Sequence, residues 1–323
     1  MRDIKAKEIG GYLEMEQFTG EEYYSDLYKL NLGRTAFILL LQNIEHSRVF
    51  IPRYICSSVV DSARNAGFNV VLYDIDEDLK PVWENADAPS DEDILYLVNY
   101  YGQLKEATIL KYRNLSNNLI VDNAQAFFDR PVEGVHTLYS PRKFFGLCDG
   151  AYLATDIDIH IDALSPDSSL NRIKYLVGRM EESGAEHYSE MLAASRTFAD
   201  EVPRRMSPFT QNMLKGINYE FVKKRRCDNY RILSELLPSD NPFTKSLPEC
   251  PFAYPYMHKD GVSLRKYLAD KKIFVPTNWS YLINVMPEDS LEYRWSSDIL
   301  PLPIDQRYGE CEMKIIADAV KAF

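Results

Sequence analysis

The most constraining feature of the chain is a set of very short apolar segments between residues 49 and 154. Val49–Ile51, Val70–Tyr73, Ile94–Val98, Leu119–Val121, Val135–Tyr139 and Ala151–Ala154 each run for three to five residues. They show no alternation of apolar and polar positions, so neither face of such a strand is meant for water. Most are separated by connections of helix length. Strands buried on both faces and joined by crossovers form a mainly parallel sheet with helices on either side. Helical patterns fall where the crossovers need them: Thr35–Gln42, opening after Gly33, and Ser57–Asn65, stopped by Gly67 in a position that suits glycine. The expected fold class is α/β, a three-layer αβα arrangement.

The remainder of the chain is organised differently. Residues 160–235 read as mostly helical with charge on one face, and Lys223–Arg226 within them as a solvated helix surface. The last ninety residues mix Pro-rich loops, a short strand at Lys272–Val275 and a final helix, Gly309–Ala322. This predicts a smaller α+β unit. The composition shift near Gly216 divides the chain into an N-terminal arm (1–30), a large unit (31–215) and a small C-terminal unit (216–323). The arm is polar and aromatic, with Tyr12, Tyr23, Tyr24 and Tyr28, and is expected to pack on something else.

Charge and cysteine usage narrow the function. With Lys plus Arg 37 against Asp plus Glu 48, the net charge is -11, which disfavours nucleic acid and anionic membrane as partners. Any anionic ligand then needs a local cluster of donors. The longest apolar run, Ala36–Leu41, is too short to span a bilayer. Five scattered cysteines without a CxxC pair, and an N-terminus without an apolar leader core, predict a soluble cytoplasmic protein with reduced thiols. The sequence has no GxGxxG, GxxxxGK[ST], GxSxG or HExxH, and its five histidines never fall three or four apart. No metal site is expected.

Three segments remain that carry chemistry. Leu32-Gly33-Arg34-Thr35-Ala36 is a glycine turn opening an apolar helix, where free N–H groups and the helix dipole suit a phosphate. In Leu119-Ile-Val-Asp122-Asn-Ala-Gln125, an aspartate directly follows a buried strand, at the sheet end where open α/β folds bind ligands. In Leu138-Tyr-Ser140-Pro-Arg142-Lys143-Phe-Phe-Gly, a lysine is embedded among apolar residues ahead of a glycine-rich turn. A desolvated lysine has a lowered pKa and becomes a nucleophile towards carbonyls. Lysine, carboxylate and phosphate cup together match the demands of pyridoxal 5'-phosphate.

The order of Gly33-Arg-Thr-Ala, Ile51-Pro-Arg-Tyr-Ile-Cys56, Asp122-Asn-Ala-Gln125-Ala and Ser140-Pro-Arg-Lys143-Phe-Phe-Gly-Leu-Cys-Asp-Gly resembles the DegT/DnrJ/EryC1/StrS family. Val70–Asp76, Leu97–Gln103 and Leu300–Tyr308 extend the likeness. The resemblance implies the fold type I of pyridoxal phosphate transferases, a homodimer with shared active sites, and amino transfer from glutamate or glutamine to a keto-sugar, nucleotide-linked. It implies that Lys143 forms the Schiff base, Asp122 pairs with the pyridinium nitrogen and Gln125 lies near the ring hydroxyl. Gly33, Arg34 and Thr35 would hold the phosphate. Cys56 stands where the family has a ring-stacking aromatic, with Tyr54 or another aromatic expected to compensate. Leu138 stands where it has a phosphate-binding serine, with Ser140 or Thr137 expected to substitute. Tyr100, Tyr101, Arg142 and Asn278 beside Trp279 are the substrate candidates. The alternatives are a fold type I enzyme acting on a non-sugar ketone, and a non-catalytic binding protein that retains the fold.

Overall fold

The computed structural model describes residues 9–83, 88–198 and 202–323. Its centre is an eight-stranded sheet built from β1 (Tyr28–Leu30), β2 (Arg48–Pro52), β3 (Asn69–Ile75), β4 (Pro81–Val82), β5 (Ile94–Val98), β6 (Asn118–Asp122), β7 (His136–Tyr139) and β8 (Ala151–Ala154). The spatial order is β1-β8-β7-β6-β5-β2-β3-β4. Strands β3, β2, β5, β6 and β7 run parallel, while β8, β1 and β4 join by antiparallel pairing. Every residue of β5 is buried, as expected of a strand covered on both faces. Helices α1 (Gly33–Leu41), α2 (Ser57–Asn65) and α3 (Glu106–Arg113) lie in the connections, and α1 packs on β7 and β8.

The chain order reverses between β2 and β5. From β2 it proceeds outward to β3, and from β5 it proceeds the other way through β6 to β7. Such a switch point opens a crevice at the carboxyl ends of the strands. Register then sets what lines it, because Val98 pairs with Asp122 and Asp122 with Leu138, so three strand ends lie level.

Beyond the sheet follow α4 (Lys174–Glu181), α5 (Tyr188–Arg196), α6 (Pro208–Lys215) and α7 (Tyr219–Leu236). The expected helical region is therefore interrupted by irregular stretches. A second core, centred on Leu233, Leu264, Leu300 and Met313, gathers α7, α8 (Gly261–Asp270) and α11 (Glu310–Lys321) around the hairpin-like pair β9 (Tyr254–Met257) and β10 (Ile299–Leu302). Short helices α9 (Leu282–Val285) and α10 (Leu291–Asp298) precede β10. No strand forms at Lys272–Val275, where Lys272 takes a left-handed φ of 62° that ends α8 in a turn. Among the described residues no helix is long and apolar enough to cross a membrane.

The expected arm is only partly separate. Its first eight residues lie outside the described ones, but Tyr28–Leu30 is a strand of the main sheet, because its backbone completes the open edge of β8. Tyr24 is buried against Phe127 and Tyr139, and its hydroxyl donates to the carbonyls of Phe127 (2.7 Å) and Asp129 (2.9 Å).

Behind the crevice, Asn99 and Asn123 follow β5 and β6 directly. Asn99 Nδ2 donates to Asn123 Oδ1 and to Asp129 Oδ2, both at 3.0 Å. Burial raises the Asp129 carboxyl from 3.8 to about 6, with the Asn99 bond and Lys105 offsetting it in part. A raised acid is a penalty on the folded state that sets in above the unfolded pKa and is complete above the folded one. Asp129→Asn is expected to gain about 3 kcal/mol near pH 8, at ~1.4 kcal/mol per unit, and almost nothing near pH 3. Urea unfolding at the two pH values checks this, and equal gains at both would refute it.

Candidate functional site

A cavity of about 260 Å³ opens at the switch point, lined among others by Gly33, Arg34, Cys56, Tyr96, Asp122, Gln125, Ser140, Arg142, Lys143 and Trp279. The floor is the end of β6. Asp122 Oδ2 accepts from the Tyr96 hydroxyl at 2.9 Å, and Oδ1 accepts from the Ala124 N–H at 2.8 Å. Loss of solvation raises the Asp122 carboxyl above its ordinary range, against these two bonds and the Lys143 charge. A carboxylate in that state favours any cationic or N–H group placed against it. Gln125 is buried beside it and its Oε1 accepts from the Tyr101 N–H at 3.0 Å.

Lys143 follows β7 through a tight turn in which its N–H donates to Ser140 O (3.0 Å) and the Phe144 N–H to Pro141 O (2.9 Å). It is not embedded among apolar side chains as expected. The side chain is exposed and lines the cavity, and Nζ makes no hydrogen bond among the described residues. The surrounding walls still strip enough water to lower its pKa; Arg142 lowers it further, while Cys56 and Asp122 oppose. An amine that loses its proton more readily is a better nucleophile towards carbonyls. The turn closes at Gly150, whose φ of +124° only glycine adopts freely and whose N–H reaches Asn31 O, just ahead of α1.

The third wall is positive. No side chain caps α1, whose N-cap is Leu32, or α2, whose N-cap is Cys56, and both helix starts face the cavity. A Cβ built on Gly33 would meet nothing within 4 Å, so space is left in front of the α1 N-terminus. Arg34 and Arg142 flank it. Arg142 lies 4.4 Å from the Phe198 ring centroid and its Nε is buried without a partner. Ser140, two residues after Leu138 on an extended segment, reaches the same cavity.

Four expectations need correction, and a fifth goes with them. Thr35 is fully buried away from the cavity, its hydroxyl donating to Asn31 Oδ1 (2.6 Å) and Leu32 O (3.0 Å). Tyr54 is buried under the roof, 4.3 Å from Trp279 edge-to-face, so Trp279 rather than Tyr54 presents an aromatic surface near Cys56. Tyr100 spends its hydroxyl on Tyr54 O (2.6 Å), and Asn278 donates to the Tyr101 hydroxyl (2.8 Å). None of Tyr100, Tyr101 and Asn278 lines the cavity; they hold the roof in place. Trp279 and Tyr101 both adopt left-handed φ (52° and 50°), a backbone cost that packing must sustain. Tyr96 was not singled out from the sequence, yet a lone hydroxyl within a fully buried Ile-Leu-Tyr-Leu-Val strand needs an acceptor, and that was the available signal. Thr35→Val is expected to cost about 1 kcal/mol of stability and to leave ligand affinity unchanged. Thermal melts and a binding titration check both, and a tenfold affinity loss would return the hydroxyl to the site.

A lysine, a desolvated carboxyl and a cationic helix-start cradle meet at the switch point of a three-layer αβα fold. Solved structures with this fold match most of the chain. DesV of S. venezuelae, determined in complex with a ketimine intermediate, is 18% identical, with 91% of this chain and 84% of that one covered and a TM-score of 0.62. PseC of Helicobacter pylori, an aminotransferase involved in the biosynthesis of pseudoaminic acid, is 14% identical over 91% and 85%, with a TM-score of 0.58. A DegT DnrJ EryC1 StrS aminotransferase from Brucella abortus is 15% identical over 92% and 85%, also at 0.58. No protein-family model and no curated protein matches the chain.

Proposed function

We propose that the protein is a pyridoxal phosphate-dependent aminotransferase that moves an amino group from glutamate or glutamine to a keto-sugar. The observation that carries the reading is the meeting of Lys143 and Asp122 in one cavity with an uncapped, open helix start. These residues fit the cofactor: the desolvated Asp122 carboxyl lacks a cationic hydrogen-bond partner, Lys143 has a free amine, and the orphaned Arg142 Nε calls for an acceptor. CalS13 from Micromonospora echinospora, a solved neighbour of the same fold, is a sugar aminotransferase by description, which favours the keto-sugar over other ketones.

When bound, the cofactor supplies an aldehyde that condenses with amines and a ring that takes up the electron pair of a breaking Cα–H bond. The chain supplies the rest. Asp122 holds the proton on the ring nitrogen, and Tyr96 and the Ala124 N–H keep that carboxylate charged. Gln125 orients the ring at its hydroxyl edge. The α1 start, with Arg34, Arg142 and Ser140, neutralises the phosphate. Lys143 would hold the aldehyde through Nζ and, once released by the incoming amine, would take up and give back the substrate Cα proton at Nζ. Trp279 covers the cavity and excludes water. Cytoplasmic placement and a homodimer complete the proposal, as does a division into arm, large and small units near residues 30 and 215.

The test is a visible spectrum of the protein with pyridoxal phosphate. A band that glutamate bleaches and a keto-acid restores supports the reading. No band at saturating cofactor leaves a binding protein with this fold.

A further inference from the structure

The Lys223–Arg226 run reads from sequence as a solvated helix face, and for Arg226 the structure says otherwise. Arg226 is 2% exposed and makes no salt bridge among the described residues. Its guanidinium is held by neutral groups alone: Nη1 donates to Pro251 O (3.3 Å) and Phe252 O (3.0 Å), Nε to Gln306 Oε1 (3.0 Å), and Nη2 to Phe144 O (3.2 Å). Gln306 Nε2 donates to the same Phe144 oxygen at 2.9 Å, closing a ring of three groups. The guanidinium carbon also lies 4.6 Å from the Phe144 ring centroid.

Burying a cation on carbonyls and an amide, with the Asp305 carboxylate acting on it only through space and not in an ion pair, is an expensive way to gain stability. What the arrangement does achieve is geometric. Phe144 is the residue after Lys143. The turn carrying Lys143 is fixed on its inner side by its own three bonds, from the Lys143 N–H to Ser140 O and from the Phe144 and Phe145 N–H groups to Pro141 O. On its outer side, among the described residues, the hydrogen bonds from distant segments converge on the Phe144 oxygen. Both donors come from far along the chain, from α7 and from the loop between β10 and α11. Two donors converging on one oxygen hold the Phe144 peptide plane against rotation, which a single bond leaves free. A small rotation there swings the long Lys143 side chain by much more than the backbone itself moves.

We infer that Arg226 and Gln306 form a positioning clamp that sets where the Lys143 amine stands in the cavity, tying the smaller unit to it; the inference rests on the role proposed for Lys143 above. Neither residue touches the cavity, so neither is catalytic.

Gln306→Glu is the decisive variant. It keeps an acceptor for Arg226, indeed a charged one, but places an acceptor where Phe144 O needs a donor. The fold should survive, and Arg226→Lys, which keeps the charge without the fork, serves as the second variant. Lys143 is acetylated in the cofactor-free protein across a pH series and read by mass spectrometry, and kcat and KM are measured on the loaded protein. The clamp predicts that the pH midpoint of Lys143 labelling shifts by at least ~0.5 unit, and that kcat falls roughly tenfold with KM within about twofold, at a near-normal melting temperature. Unchanged labelling and unchanged kcat in both folded variants would reduce Arg226 to a structural residue and overturn the clamp. A wild type that forms no visible band with pyridoxal phosphate would instead sink the proposed reaction, while the labelling midpoint would still decide whether the clamp positions Lys143.

Discussion

Lys143→Ala is expected to abolish the visible band formed with pyridoxal phosphate and to lower turnover by at least ~10³-fold, with the fold unchanged. The separation of the two effects follows from where the side chain stands. Lys143 is exposed to the cavity and makes no side-chain hydrogen bond among the described residues, so truncating it leaves no buried partner there unsatisfied. It also removes an ammonium that the cavity holds below its ordinary pKa, a small relief for the empty protein. Lys143→Arg separates charge from chemistry. Arginine keeps the cation near Asp122 but stays protonated and cannot serve as the nucleophile, so charge alone should not rescue activity. Circular dichroism, the cofactor spectrum and a glutamate half-reaction check the three statements. A Lys143→Ala protein that still bleaches with glutamate would move the chemistry to another amine.

The sheet was legible in the sequence because a strand covered on both faces needs no alternation, and uniform apolarity over a few residues is hard to produce any other way. The two strands of the second core were not legible for the opposite reason. Tyr254–Met257 and Ile299–Leu302 each contain a proline, which reads as loop; in a two-stranded ribbon each strand has a free edge where the missing N–H costs nothing. The site was legible at Asp122, Gln125 and Lys143, whose positions just past strand ends fix which way they face. It was less legible on the helix. Successive helical residues turn by ~100°, so Thr35 points about 200° away from Gly33. A helix that shows Gly33 to the cavity must bury Thr35, and Thr35 is indeed 0% exposed. Arg226 was illegible because a run of four cations looks the same whether the helix packs all of its faces or only some. Only the carbonyls of residues 144, 251 and 252, distant in sequence, reveal the difference.

Asp122→Asn should move stability and binding in opposite directions. In the empty protein the Asp122 carboxyl is raised by lost solvation, so the folded state binds a proton more tightly than the unfolded chain. Stability is then lost as pH rises from the unfolded carboxylate value through the folded one, and the penalty is complete above both. Asparagine carries no such charge, keeps an acceptor for the Tyr96 hydroxyl or the Ala124 N–H, and nearly matches the volume. The empty variant is therefore expected to melt higher than wild type at neutral pH and to match it in acid. Cofactor binding reverses the sign. A carboxylate against a protonated ring nitrogen is worth on the order of 4 kcal/mol at about 4 Å and an effective dielectric near 20, before the desolvation the site has already imposed. Asparagine forfeits that attraction and leaves the ring nitrogen unprotonated, so the ring no longer draws electrons from the Cα–H bond. Affinity for pyridoxal phosphate should fall ~10–100-fold, and the glutamate half-reaction by at least ~10²-fold. Calorimetric melts with and without cofactor read both signs in one experiment. A variant that is destabilised when empty yet binds the cofactor normally would show that Asp122 serves the fold through Tyr96 and Ala124 and nothing else.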